Sequence, residues 1–236
     1  MLSPFGWIDG ITASGVVIFG IIFGLFFIYK ARKTNAKILN YLGLANLFAG
    51  LMYLGVFVDF LYVLISPTHT NIDNTYGMVG ILSYIWLAPA IITSIYIGAE
   101  LQIPKFKWFV VALFVILSVL FEILIFIDPF NAFNFVDPPA PGILLIDYNV
   151  IIFSIAGIMM AVFLLSIIVL LGIGFLVKSI QSTGILRKKF LLLSLGSIFF
   201  CVFGLLEGLT EPGYTVIFVR IGYLSSFWFM YYGLKT

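Results

Sequence analysis

The sequence is short of charge. Only 9% of its 236 residues are Asp, Glu, Lys or Arg, against roughly a quarter in an ordinary globular domain. Twelve basic and ten acidic side chains cannot clothe a fold of this size in water, which excludes a soluble domain, a disordered tail and a nucleic-acid binder together. One cysteine, Cys201, excludes an internal disulfide and leaves the redox compartment unread. One histidine, His69, excludes a His-rich metal site. Neither a Gly-rich phosphate loop nor a zinc HExxH occurs. The first ten residues hold Asp9 but no Lys or Arg, so the basic segment that opens a secretory signal is missing. The first apolar run therefore reads as a retained membrane span.

What is there is hydrophobic: 63% of the residues, with a mean hydropathy of +1.21. Seven continuous apolar runs cover residues 11–29, 42–65, 77–98, 108–127, 150–177, 190–209 and 215–234. Each is long enough to cross a hydrocarbon core of about 30 Å as a helix. A β-barrel would need short alternating segments instead. The expectation is an all-α polytopic membrane protein, one seven-transmembrane-helix bundle over residues 1–236.

The connectors orient it. Lys30, Arg32, Lys33, Lys37, Lys105, Lys107, Lys178, Arg187, Lys188, Lys189 and Lys235 all fall on one side if there are seven spans. Asp9, Asp73, Asp128, Asp137 and Asp147 fall on the other, with no Lys or Arg. The positive-inside rule then puts the N-terminus outside and the C-terminus in the cytoplasm. Two outer connectors stand out, residues 66–76 and 128–149. The second contains DPFNAFNFVDPPAPG, whose prolines and phenylalanines suggest a folded cap over the outer mouth. Gly20 and Gly24 form a GxxxG that serves bundle packing or a homodimer contact. Pro89 should kink the third span.

Ionisable residues inside a span are costly, so each is a candidate ligand-binding group. They are Asp59, Glu122, Glu207, Glu211 and Arg220, all in the outer third. Guanidinium does not shed its proton. Arg220 therefore needs a carboxylate, most simply Glu207 through a bidentate pair, because a short turn brings the last two spans together. Asn46, Tyr53, Tyr84, Trp86, Thr93, Tyr223 and Trp228 could line the rest of a cavity or simply pack. No catalytic constellation stands out. The last run has no lysine for a retinal Schiff base, Gly98-Ala99-Glu100 stands where a eukaryotic receptor has an acidic-Arg pair, and Asp59 has no second membrane-buried aspartate beside it. No cofactor and no metal are expected.

The tail reads LRKKFLLLSLGSIFFCVFGLLEGL, a short loop, then VIFVRIGYLSSFWFMYYGLK. A basic cluster opens a Leu-rich span containing Gly196, and the last span closes on an aromatic pair with Gly233 and Lys235. This resembles the seven-helix membrane sensor region of prokaryotic histidine kinases and its stand-alone archaeal relatives, over about the last fifty residues. In that family the last helix continues into a cytoplasmic signalling domain. The sequence here stops at Thr236, so the resemblance implies output through a cytoplasmic or membrane protein partner.

The functional expectation is a non-enzymatic receptor-like or sensor-like membrane protein with an outward-facing polar pocket for a small ligand, lipid or ion. Alternatives are a transporter or ion-conducting subunit in which the buried acids relay protons or cations, and a structural subunit of a membrane complex.

Overall fold

A computed structural model describes residues 2–210 and 213–235. Helix occupies 79% of the chain, so the all-α expectation holds at the level of class. Ser3 and Pro4 open the first helix. Ser3 Oγ accepts the Gly6 N–H at 3.1 Å and Pro4 sits in the first turn, where its missing N–H costs nothing. Helix α1 (Pro4–Thr34) consequently begins well before the apolar run that announces it.

Two of the expected spans are broken. Residues 42–65 form α2 (Lys37–Leu51) and α3 (Leu54–Ile65), bent by 47° at Met52 and Tyr53. The bend lies where Ser83 Oγ takes the Gly55 N–H at 3.0 Å, a side chain inserted at a helix start. Gly55 is required there, because a Cβ would lie 1.9 Å from the Val79 carbonyl oxygen. The third span is α4 (Met78–Tyr84) followed by α5 (Leu87–Gln102). Their junction includes Ile85, one turn before Pro89, where the proline ring meets the carbonyl of residue i−4.

After α6 (Lys107–Ile127), one turn, α7 (Pro129–Ala132), leads into an antiparallel hairpin, β1 (Phe133–Val136) with β2 (Asp147–Val150). Phe133 faces Val150 across it and Val136 faces Asp147. The expected cap thus has a fold of its own. Then come α8 (Ile155–Ile167), a wide π-type turn (Ile168–Gly172) and α9 (Ile173–Gln181). The carbonyls around the wide turn are taken by side chains: Gln102 Nε2 donates to Val169 O (2.6 Å) and Leu170 O (2.7 Å), and Ser194 Oγ to Gly172 O (2.8 Å). Helices α10 (Gly184–Leu209) and α11 (Tyr214–Leu234) complete the bundle.

Among the described residues, five helices are long and apolar enough to cross a membrane, or six if the bent pair is one span. The chain is a helical membrane protein. The GxxxG of α1 turns inward: a Cβ on Gly20 would lie 2.4 Å from Gly50 Cα, and one on Gly24 would lie 2.9 Å from Gly43 O. It therefore serves the α1–α2 contact within the bundle.

Candidate functional site

Arg220 lies on α11 and is 2% exposed. Its Nε donates to Glu207 Oε1 at 2.8 Å, which joins α11 to α10. Nη1 donates to the Asp9 backbone oxygen (2.8 Å), to the Asp9 carboxylate and to Thr12 Oγ1 (3.0 Å), which joins α11 to α1. The Tyr53 ring, at the bend between α2 and α3, lies 5.4 Å from the guanidinium carbon. One cation thus fastens three helices through two carboxylates. The expected partnership with Glu207 is present, but as a single contact through Nε. The other half of the guanidinium is claimed by Asp9, which the earlier start of α1 carries into the bundle.

Beside the pair lies a cavity of about 40 Å³, lined among others by Tyr53, Tyr84, Tyr223, Asp147, Tyr148 and Glu207. Glu207 Oε2 and Tyr53 Oη are buried without a hydrogen-bond partner. The volume admits about one water molecule and is far below the roughly 300–1,000 Å³ of an organic ligand site. Of the softer polar residues picked from sequence, Tyr53, Tyr84 and Tyr223 line this cavity. Asn46 lines a separate one of about 20 Å³.

The roof is the hairpin. Asp59, on α3, is 0% exposed, and its carboxylate accepts three hydrogen bonds: Ile72 N–H at 2.9 Å, Asn71 Nδ2 at 2.9 Å and Ile146 N–H at 2.8 Å. Asn71 in turn donates to Leu144 O (2.9 Å) and accepts the Gly142 N–H (2.8 Å). Asp59 therefore ties both long connectors to the bundle, and its oxygens face backbone rather than the cavity. Between those connectors lies a wider groove of about 660 Å³, which includes Asn71, Asp73, Phe130, Phe135 and Asp137 in its lining. Its size is that of a ligand site. Of its two carboxylates, that of Asp73 is held below the usual range by hydrogen bonds from the Thr75 hydroxyl and N–H.

Asp147, on the cap, is pushed up to about 7, first by burial and then by the negative charge of Asp9; the Tyr148 N–H and Arg220 pull the other way and Glu207 adds to the rise. A raised acid binds more protons folded than unfolded, so its contribution to the cap is complete below the ordinary 3.8 and is lost as pH climbs through about 7. Amide exchange at Ile146 and Tyr148, corrected for intrinsic rates, is expected to be more protected at pH 5 than at pH 8. Asp147→Asn should flatten that difference. An unchanged slope in the variant would contradict the assignment.

Of the residues singled out from sequence, the structure brings Glu207 and Arg220 together. Asp59 holds the cap above them, and Glu122 lies apart on α6, in a groove shared with α5. Glu211 lies outside the described residues. Sequence reasoning missed Asp9 and Asp147. The Ser3-Pro4 cap was a legible signal for Asp9, while nothing local marked Asp147. No group of three or more His, Cys, Asp or Glu able to hold a metal occurs among the described residues. In comparison with known proteins, the chain matches no family model and no curated sequence.

Proposed function

We propose that this chain is a receptor-like, non-enzymatic protein of seven spans, with the hairpin cap outside and the basic connectors in the cytoplasm of a prokaryotic cell. Helix α11 serves as the seventh span. Counting it places eleven of the twelve basic residues on one side and leaves Arg220 as the exception, whose charge is met inside the bundle. A small ligand or ion enters the groove between the two capped-end connectors. The groove offers carboxylates, amides and aromatic rings without lysine or arginine, which favours a neutral or cationic ligand. A cytoplasmic or membrane partner protein carries the response onward.

The observation that carries this reading is the Asp59 bracket. Asn71 and Ile146 line the groove and also hydrogen-bond to Asp59. Any ligand that shifts either connector therefore pulls on α3, which meets α2 at the bend where Tyr53 covers Arg220. Transport is favoured less. The cavity lined by Asn46, Ser94 and Ser197 has about 20 Å³ and no ionisable lining, so it offers no next station for a proton or cation. Protein in liposomes is expected to pass protons and monovalent cations no faster than empty liposomes. Small cations and amines added from the cap side should alter exchange at Ile146. Flux that Glu207→Gln abolishes would overturn the receptor reading in favour of a carrier.

A further inference from the structure

The groove between the two long connectors is open to water, since Asp73, Asn134 and Asp137 in its lining are all exposed. Its two carboxylates face no cation there, because the lining holds no lysine, arginine or histidine. Asp73 is fixed in place. Its Oδ1 takes the Thr75 hydroxyl at 2.5 Å and the Thr75 N–H at 2.9 Å, while Oδ2 has no hydrogen-bond partner among the described residues. Those two bonds also favour the charged carboxylate. Asp137 has no hydrogen-bond or ionic partner among the described residues. Several donors in the walls are turned away: Asn71 Nδ2 gives its N–H bonds to Asp59 and Leu144 O, and the Ile146 N–H also goes to Asp59. An aromatic platform stands beside the acids. The rings of Phe130 and Phe135 meet edge to face with centroids 5.3 Å apart. Phe135 packs against α4, where a Cβ on Gly80 would lie 2.9 Å from its Cζ. Phe130 remains 51% exposed.

Resting on the proposal that a ligand enters here, we infer that the groove binds a small primary amine with an apolar body, its ammonium on Asp73 Oδ2 and its body against Phe130 and Phe135. An ammonium brings positive charge and three N–H donors with no acceptor, which suits a groove whose only formal charges are carboxylates. The aromatic rings add attraction for a cation, and Asp137 adds a second negative charge. An anionic ligand would meet two like charges. A calcium ion, which takes about six to eight oxygens, finds no group of three or more metal-binding side chains among the described residues. A neutral alcohol of the same shape would keep the contact with the rings and forgo the charge. At about 660 Å³ the groove holds a molecule of this kind.

The test is titration calorimetry on the full chain in phosphatidylcholine nanodiscs, with empty nanodiscs subtracted. The probes are phenethylamine, its N-trimethyl derivative and 2-phenylethanol. The amine is expected to bind about tenfold tighter than the alcohol, the scale of a charge-assisted hydrogen bond. The trimethyl probe keeps the charge but has no N–H, so it should bind less tightly than the amine. Asp73→Asn should bring the amine down to the affinity of the alcohol. Asp137→Lys, at an exposed side chain outside the Asp73–Thr75 turn, should weaken the amine by about tenfold with Asp73 intact, which keeps the test alive if the Asn variant loosens the connector. No amine binding, equal affinities for amine and alcohol, a trimethyl probe as tight as the amine, or undiminished amine binding in both variants would overturn the assignment. Amide exchange at Ile146 reads the receptor proposal separately: amine binding that leaves it unmoved supports the amine site and contradicts the receptor.

Discussion

Arg220→Met is expected to destabilise the bundle by about 3–5 kcal/mol, the scale for breaking a buried ion pair from one side. All three members of the network are well shielded, with side-chain exposures of 3% for Arg220, 9% for Asp9 and 22% for Glu207, so solvent screening does little to reduce the loss. Removing the cation strands two carboxylates, and the pattern of rescue follows from that. Adding Glu207→Gln to Arg220→Met should recover part of the loss, and adding Asp9→Asn as well should recover more, because each step removes one uncompensated charge. Glu207→Gln alone should cost less than Arg220→Met, since Asp9 still holds the guanidinium. Denaturation midpoints of the five proteins in one detergent supply the comparison. Strict additivity would mean that the three groups do not interact, and the cluster would lose its role.

The second large effect is expected at Gly20. Its α-carbon faces Gly50 so closely that a Cβ would lie 2.4 Å from Gly50 Cα and 3.0 Å from Gly50 N. The obstacle is backbone, which cannot rotate aside, so even Gly20→Ala must push α1 and α2 apart. Overpacking of this kind costs about 1–3 kcal/mol, and Gly20→Leu should exceed the range or abolish folding. Gly15 on the same helix supplies the control, since the nearest atom to its Cβ would be Leu224 Cδ1 at 3.9 Å. Gly15→Ala should be neutral or stabilising by the helix propensity of alanine, up to about 1 kcal/mol. A fall in stability at Gly15 equal to that at Gly20 would point to glycine flexibility rather than close approach.

The helices were legible because lipid imposes one rule on every span, and long apolar runs satisfy it in no other way. Their breaks were less legible. The kink near Pro89 follows from proline's own chemistry, whereas the bend at Met52 and Tyr53 depends on Ser83, nearly thirty residues further along the chain. The wide turn at Ile168–Gly172 likewise depends on donors from Gln102 and Ser194. Such side chains are invisible to any local pattern.

The site divides along the same line. Arg220 and Glu207 could be paired from cost and depth, because the turn between α10 and α11 is short. Asp9 was overlooked because an apolar-run reading starts α1 at the first hydrophobic stretch and ignores Ser3 and Pro4, which are polar and ring-constrained yet cap and start the helix. Asp59 is legible in the sequence as a costly acid inside a span, and the structure buries it. Its partners, two backbone N–H groups and the Asn71 amide, lie on connectors whose fold no periodicity encodes.

In the proposed function the capped end faces outward and receives the signal there. Single-cysteine accessibility tests it most directly, since the native Cys201 is 0% exposed and contributes little background. With cysteine placed in turn at Asn134 on the hairpin, at Asn35 between α1 and α2, and at Ser182 between α9 and α10, intact cells are treated with a membrane-impermeant maleimide. Labelling is expected at 134 in intact cells, and at 35 and 182 only after permeabilisation. Labelling at 35 or 182 in intact cells, with 134 protected, would contradict it.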